Sequence, residues 1–375
     1  MNKIYVILFL IGTNWACSQE SPINSDPRLI SIDLENSKVI SQEYFEILEI
    51  IPLETTSENL MTLDVRVRKT QDSYYIMDLG MRDAIHRFSL EGKYLGSAVS
   101  VGEGPDQVLG MQDFQIVENG DILILSSIGD QSFLYRHSIT GNLTKEFDID
   151  YLASSFTVLG SGNYLFSGGH NLPYVTERVI LTDSTGKKID SFLPNNYQNE
   201  MIPTAERNFY ESENSILYSE IFNDTIYKVE NFQLKPLSKM HSGKYSLPSD
   251  FWNISVLESL KNISEKGFAI YKAAFETRDY ILFNIHIQKK GGSFKKLAIV
   301  NKLTRNTQIL ESTALEGDPF NEPIHISDNQ ITFFSSHSTV VDKLGKTIPD
   351  TLKNKLMEGK HDYPVMFKVK VPSSI

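Results

Sequence analysis

Residues 74–105 read YYIMDLGMRDAIHRFSLEGKYLGSAVSVGEGP, and the order of runs and turns in this stretch decides the fold. A β-rich run from Tyr74 to Asp78 breaks at a polar loop. A second run, Ile85 to Ser89, turns at Glu91-Gly92 into a third, Tyr94 to Val99, which ends at Gly102, Gly104 and Pro105. Two marks return further along the chain: a polar turn between the first and second strands of a unit, and a glycine turn between the third and fourth. Gln71-Asp72-Ser73 is followed by Gly92, Glu118-Asn119-Gly120 by Gly141, and Gly160-Ser161-Gly162 by Gly186. Gly92 to Gly141 is 49 residues and Gly141 to Gly186 is 45, the period of a four-stranded propeller blade. Each glycine is expected to supply the positive φ of a tight hairpin, so none needs a phosphate-binding role.

Three weaker copies keep the same order. Glu213-Asn214 precedes Ile216 to Glu220 and Thr225 to Val229, Arg278-Asp279 precedes Tyr280 to Ile287 and Leu297 to Asn301, and Asp328-Asn329 precedes Ile331 to Phe334 and Val365 to Val371. The sequence therefore predicts an all-β fold, a six-bladed β-propeller over residues 29–375. Leu29 to Leu34 and Phe45 to Leu53 are also β-like. The second, FEILEIIPL, has no hairpin partner beside it and is expected to complete the last blade, closing the ring and covering its free edge. A two-domain reading is weaker, because no Pro/Ser-rich linker divides the chain.

Two segments interrupt the period. Ser249 to Lys261 begins with Ser-Asp and spaces Phe251, Ile254, Leu257 and Leu260 along one face, which predicts a short helical insertion between blades four and five. Ser335 to Asp362 reads as a polar insertion in the last blade with little periodicity.

The formal net charge of −11 and the absence of a basic cluster speak against nucleic-acid binding. Lys289-Lys290 and Lys295-Lys296 flank Gly291-Gly292 and read as a solvated hairpin tip. Lys3 and the apolar run Ile4 to Ile11 are too short to span a bilayer and read as an export signal, residues 1–17. Asn14-Trp15-Ala16-Cys17 resembles a lipobox, with Asn14 where Leu is usual. Cys17 is the single cysteine and has no disulfide partner, which favours lipid attachment there over a plain signal peptide cut near Ala16. Residues 18–28 read as a polar tether.

The chain resembles the six-bladed β-propeller lipoproteins of Gram-negative bacteria, a largely uncharacterised group related to NHL-repeat propellers. The matching features are Ile51-Pro52-Leu53-Glu54-Thr55, Tyr75-Ile76-Met77-Asp78, Phe88-Ser89-Leu90-Glu91-Gly92-Lys93 and Gly102-Glu103-Gly104-Pro105. They cover residues 29–195 well and the remainder loosely, and Gln107 stands where the family usually has an acidic residue. The resemblance implies an exported protein, lipid-anchored in the cell envelope at the outer membrane, and implies no agreed activity.

No catalytic or nucleotide signature is present: no G-x-S-x-G, H-E-x-x-H, P-loop or paired CxxC. His86 and His137 fall near the start of third strands, and His170, His325 and His337 nearer to loops or first-strand positions. No phased His, Asp or Glu set converges, so neither a metal nor another cofactor is expected. Function is read instead from loop length. Connections between strands one and two and between three and four are tight. Those between two and three, and from blade to blade, are longer: Leu79 to Ala84, Gly102 to Met111, Ser127 to Ser132, Gly168 to Glu177, Pro194 to Asn208, the Trp252 helix, and Ser335 to Asp362. The two classes lie on opposite faces of a propeller, and long loops on a rigid scaffold carry binding residues. Arg82, His170, Tyr174, Arg207 and Trp252 are thus the candidate ligand-binding residues for a glycan, peptide or envelope-protein partner. Alanine at His170, Tyr174 and Arg207 is expected to spare folding. The competing reading is a metal-dependent lyase or hydrolase with its site at the central channel.

Overall fold

The structure is a computed structural model that describes residues 30–34, 37–195, 206–212, 215–311, 318–320, 322–327, 329–356 and 362–371. The segments read as an export signal and a tether, with Cys17, lie outside the described residues.

Six antiparallel sheets form the blades of a propeller, over residues 65–100, 111–149, 155–194, 209–241, 268–311 and 322–370. Within each, strands follow one another in chain order from the innermost strand outward. Buried aliphatic and aromatic side chains join neighbouring blades: Ile76 and Phe88 of the first blade pack in one cluster with Ile324, Phe334 and Met366 of the last. Such strands are covered on both faces, which is why their hydrophobic runs alternate poorly in the sequence.

Ring closure is as the sequence predicts. Strand β3 (Glu46–Pro52) pairs antiparallel with Pro364–Lys370 as the fourth strand of the last blade, setting Ile50 opposite Phe367 and Ile51 opposite Met366. The seam continues into the first blade. Glu54 N donates to Gly92 O at 2.8 Å, and Gly92 has φ +90° with its α-carbon so close to Pro52 O that any β-carbon would lie 2.0 Å from it. Gly92 is therefore fixed by its neighbour as well as by its turn.

The chain before β3 does more than the sequence reading assigns it. Strand β1 (Ile30–Asp33) adds parallel to the outer edge of the fourth blade, and β2 (Lys38–Ile40) parallel to that of the fifth. The N-terminal segment is thus a belt that covers three consecutive outer edges. Ile32, fully buried, and Ile40 anchor it.

Both insertions differ from expectation. Helix α1 spans Val256–Lys266, because Ser255 caps it by accepting from Glu258 N, a stronger start than Ser249-Asp250. Phe251 is buried in the turns ahead of the helix, and Leu257, expected on the packed face, is 78% exposed. The segment read as aperiodic forms helices α2 (His337–Leu344) and α3 (Asp350–Leu356). Val340, Leu344, Ile348 and Leu356 are all buried, at intervals of four or eight residues. No helix among the described residues is long and apolar enough to cross a membrane.

Candidate functional site

Loop asymmetry is present, with two exceptions. The connection expected at Ser127 to Ser132 shrinks to Gly129-Asp130, because its strands run through Ile128 and from Gln131. The hairpin of the fifth blade turns at Lys290-Gly291. Lys289 and Lys290 are exposed there, but Lys295 is only 5% exposed, and burial pushes its amine down to about 8. This corrects the reading of all four lysines as a solvated tip: Lys295 opposes His286 on the covered face of the hairpin.

On the long-connection face, three segments converge at the junction of blades three, four and five. Residues 168–176, residues 219–224 and residues 242–252 surround a recess of about 390 Å³. Trp252 and His170 stack with ring centroids 4.8 Å apart, and Phe222 lies 6.2 Å from both. Tyr227, Tyr245 and Tyr271 extend the aromatic lining, and Arg178, Asn223 and Asp224 supply polar edges. Arg178 is held by Glu220, with Nε 2.9 Å and 3.0 Å from the two carboxylate oxygens. Glu220 also accepts from Tyr218 Oη at 2.9 Å and Asn223 Nδ2 at 2.7 Å, so its buried charge is fully satisfied. His170 was expected exposed on the rim, yet it is 1% exposed. Its Nε2 donates to Ile221 O at 3.2 Å, and burial drives its pKa down to about 4, so the ring is neutral at neutral pH. No local signal marks this burial: the loop's Gly-Gly-His-Asn composition reads as solvated, while its placement under Trp252 depends on a segment some 80 residues later.

A second recess, of about 120 Å³, lies at the mouth of the central channel on the same face. Asp64, Arg66, Leu79, Arg82, Gln112, Ser154, Glu206 and Arg207 line it. Asp78 organises its edge: Oδ1 accepts from Gly80 N and Met81 N at 2.7 and 2.8 Å, and its carbonyl accepts from Arg82 N at 2.9 Å. Arg82 takes φ +48° in this turn and donates from Nη1 to Gln112 Oε1. Arg207, expected to be free on a loop, is mostly buried; its Nη2 is 2.9 Å from Glu322 Oε1 and 3.6 Å from Asp64 Oδ1. Arg207→Ala would strand Glu322, so the expectation that alanine here spares folding is corrected, as it is for His170. The candidate residues therefore fall into two pairs, His170 with Trp252 and Arg82 with Arg207. Tyr174, 58% exposed, lines neither recess.

Below this mouth the channel wall is a polar ladder carried by innermost strands. Arg66 Nε is 2.7 Å from Asp113 Oδ1, and Arg68 Nε donates to Gln115 Oε1 at 2.8 Å. Gln115 Nε2 donates to Glu211 Oε1 at 2.7 Å, as does Thr157 Oγ1 at 2.6 Å. Burial and the neighbouring Arg68 push Arg66 down to about 9, still charged at neutral pH, and burial pushes Asp113 up. The pattern stands in the sequence as Arg66/Arg68, Asp113/Gln115 and Thr157/Glu211 in the first strands of four blades, but arginine and glutamine are not metal ligands, so it does not appear as a phased His, Asp or Glu set. Among the described residues no group of three His, Cys, Asp or Glu side chains is placed to hold a metal. His86 is fully buried in the third strand of the first blade, and His137 ends the third strand of the second rather than starting it.

The tight-turn face is not featureless. A recess of about 610 Å³ there is lined by Ser215, Lys228, Glu276, Lys302 and Asn329 among others. Glu276 accepts from Lys302 Nζ, Ser215 Oγ and Lys228 Nζ at 2.6–2.8 Å; burial alone would raise its carboxyl, but these contacts hold it below the usual range.

The profile of a family described as a domain of unknown function, DUF4934, matches residues 29–360. No curated protein matches. A solved structure from Bacteroides fragilis NCTC 9343, named "Putative exported protein", is 17% identical, covers 92% of this chain and 99% of its own, and superposes with a TM-score of 0.74. Virginiamycin B lyase from Staphylococcus aureus is 11% identical over 87% of this chain and 99% of its own, with a TM-score of 0.42, too low to bear on activity. The first likeness shows the fold, a six-bladed propeller.

Proposed function

The chain belongs to the DUF4934 family, and we propose that it is an exported propeller, lipid-anchored through Cys17 at the outer membrane, that binds a glycan on its long-connection face without transforming it. The observation that carries the binding reading is the 390 Å³ recess under Trp252. It is large enough for a sugar unit or two, and it combines flat aromatic surfaces with a few fixed polar groups, the composition of a small-ligand site. Arg178 and Glu220 are locked to each other, so the polar edge is preorganised and loses little freedom on binding. Export is supported by the short apolar run near the N-terminus and by the name of the similar Bacteroides fragilis protein, and anchoring by the position of the only cysteine shortly after that run.

The test is affinity capture from detergent-solubilised envelopes, followed by glycan analysis of the eluate. Wild-type protein and variants with charge added at Lys93, Asn142 and Lys187, beside the tight turns, are expected to retain the same glycan, while Trp252→Ala loses it. Capture that survives Trp252→Ala and fails with the tight-turn variants would place binding on the opposite face.

A further inference from the structure

Arg66 is the most deeply buried cation of the channel mouth, 1% exposed, and its bonding is incomplete. Nε lies 2.7 Å from Asp113 without the alignment of a hydrogen bond, and Nη1 and Nη2 have no hydrogen-bond partner. A buried guanidinium with two unmet donors is costly, so a partner in the space it lines would be strongly favoured. That space is the 120 Å³ recess, equivalent to about four water molecules, with Arg82 and Arg207 also on its wall. We propose that this recess is a carboxylate-binding site that takes the acid group of an apolar ligand. It is separate from the recess under Trp252 and does not depend on the glycan reading.

Three observations choose the ligand class. A planar guanidinium offers paired donors that match the two oxygens of a carboxylate. Asp64 and Glu206 stand on the same wall, and their charges oppose a doubly charged phosphate more than a singly charged carboxylate. The residues beside the lining ones in the chain are apolar and exposed: Leu63 at 37%, Met81 at 61% and Leu109 at 40%, next to or near Asp64, Arg82 and Gln112. The recess thus holds buried positive charge with exposed apolar side chains one to three residues from its lining.

The test is calorimetric titration of the propeller at fixed ionic strength with N-acetylleucine, its uncharged amide, and inorganic phosphate. N-acetylleucine is expected to bind saturably, with the amide weaker by about tenfold or more, the loss of a charge-assisted pair. Arg66→Ala removes the nearest countercharge of the buried Asp113 carboxylate, so Gln112→Glu is the decisive variant. It places a carboxylate inside the recess without removing a cation, at the cost of the Nε2 bond to Gly110 O, and is expected to abolish acid binding with only a small shift of the thermal midpoint. Equal binding of acid and amide, tighter binding of phosphate than of the acid, or undiminished acid binding by Gln112→Glu would each overturn the proposal.

Discussion

Truncating Ile50 to alanine tests whether the ring is held shut by β3. Ile50 is fully buried, faces the seam where β3 meets the strand Pro364–Lys370, and belongs to the cluster that includes Phe333, Phe367 and Val369. Removing three carbons from such a site costs the lost burial plus the cavity left behind, about 2–5 kcal/mol. The adjacent Glu49 is a matched control on the same strand. Its pair with Lys368 Nζ at 2.8 Å is partly exposed, and Glu49→Ala is expected to cost about 1 kcal/mol or less. Urea unfolding followed by far-UV circular dichroism should give a clearly lower midpoint for Ile50→Ala and a near wild-type midpoint for Glu49→Ala. Deleting residues 45–54 should go further and yield aggregation, since the last blade would then present the whole edge of Pro364–Lys370 to solvent. Equal midpoints for the two substitutions would refute the closing role of β3.

Further expectations follow from the same structure. Removing residues 30–40 strips the belt from blades four and five but leaves closure intact, so the midpoint should fall by less than on deletion of β3, as the same urea series will show. His170, His286 and His325 are held by burial at about 4, 3 and 4, below their ordinary value of 6.5, and are neutral when folded. The unfolded chain takes up those protons first, so stability is complete above pH 6.5 and is lost as pH falls toward 4, by up to about 1.4 kcal/mol per histidine per pH unit; a urea midpoint equal or higher at pH 5.5 than at pH 7.5 would contradict this. Cys17→Ser should move the protein out of the membrane fraction, and a wild type that takes up no labelled fatty acid would sink the lipid anchor.

The architecture was legible because the first three blades announce themselves locally and the last three repeat the polar turn and the strand order. A polar turn and a glycine turn, repeated at near-constant spacing, specify hairpins whatever the rest of the chain does, and FEILEIIPL stood out as a strand lacking a neighbour. What escaped was non-local. Lys38–Ile40 is three residues long and gains its partner only across the ring, at Gln308–Leu310. The periodicity of Val340, Leu344 and Ile348 was masked by Lys343, Lys346 and Asp342 between them. At the site, loop length pointed to a face that carries two recesses, but it mistook His170 and Arg207 for exposed residues, because burial there comes from Trp252 and Glu322, residues brought near only by the closed ring.

Trp252 offers the most direct test of the binding reading, since the chain has only two tryptophans and the other, Trp15, precedes Cys17. In protein beginning at Ser18, all tryptophan emission reports on the recess. Titration with oligosaccharides released from the envelope should produce a saturable change in that emission, preserved by the tight-turn variants and by Tyr174→Ala. A captured partner that binds with Trp252 emission unmoved, and equally well to Trp252→Phe, would contradict the central claim that the long-connection recess is where this propeller works.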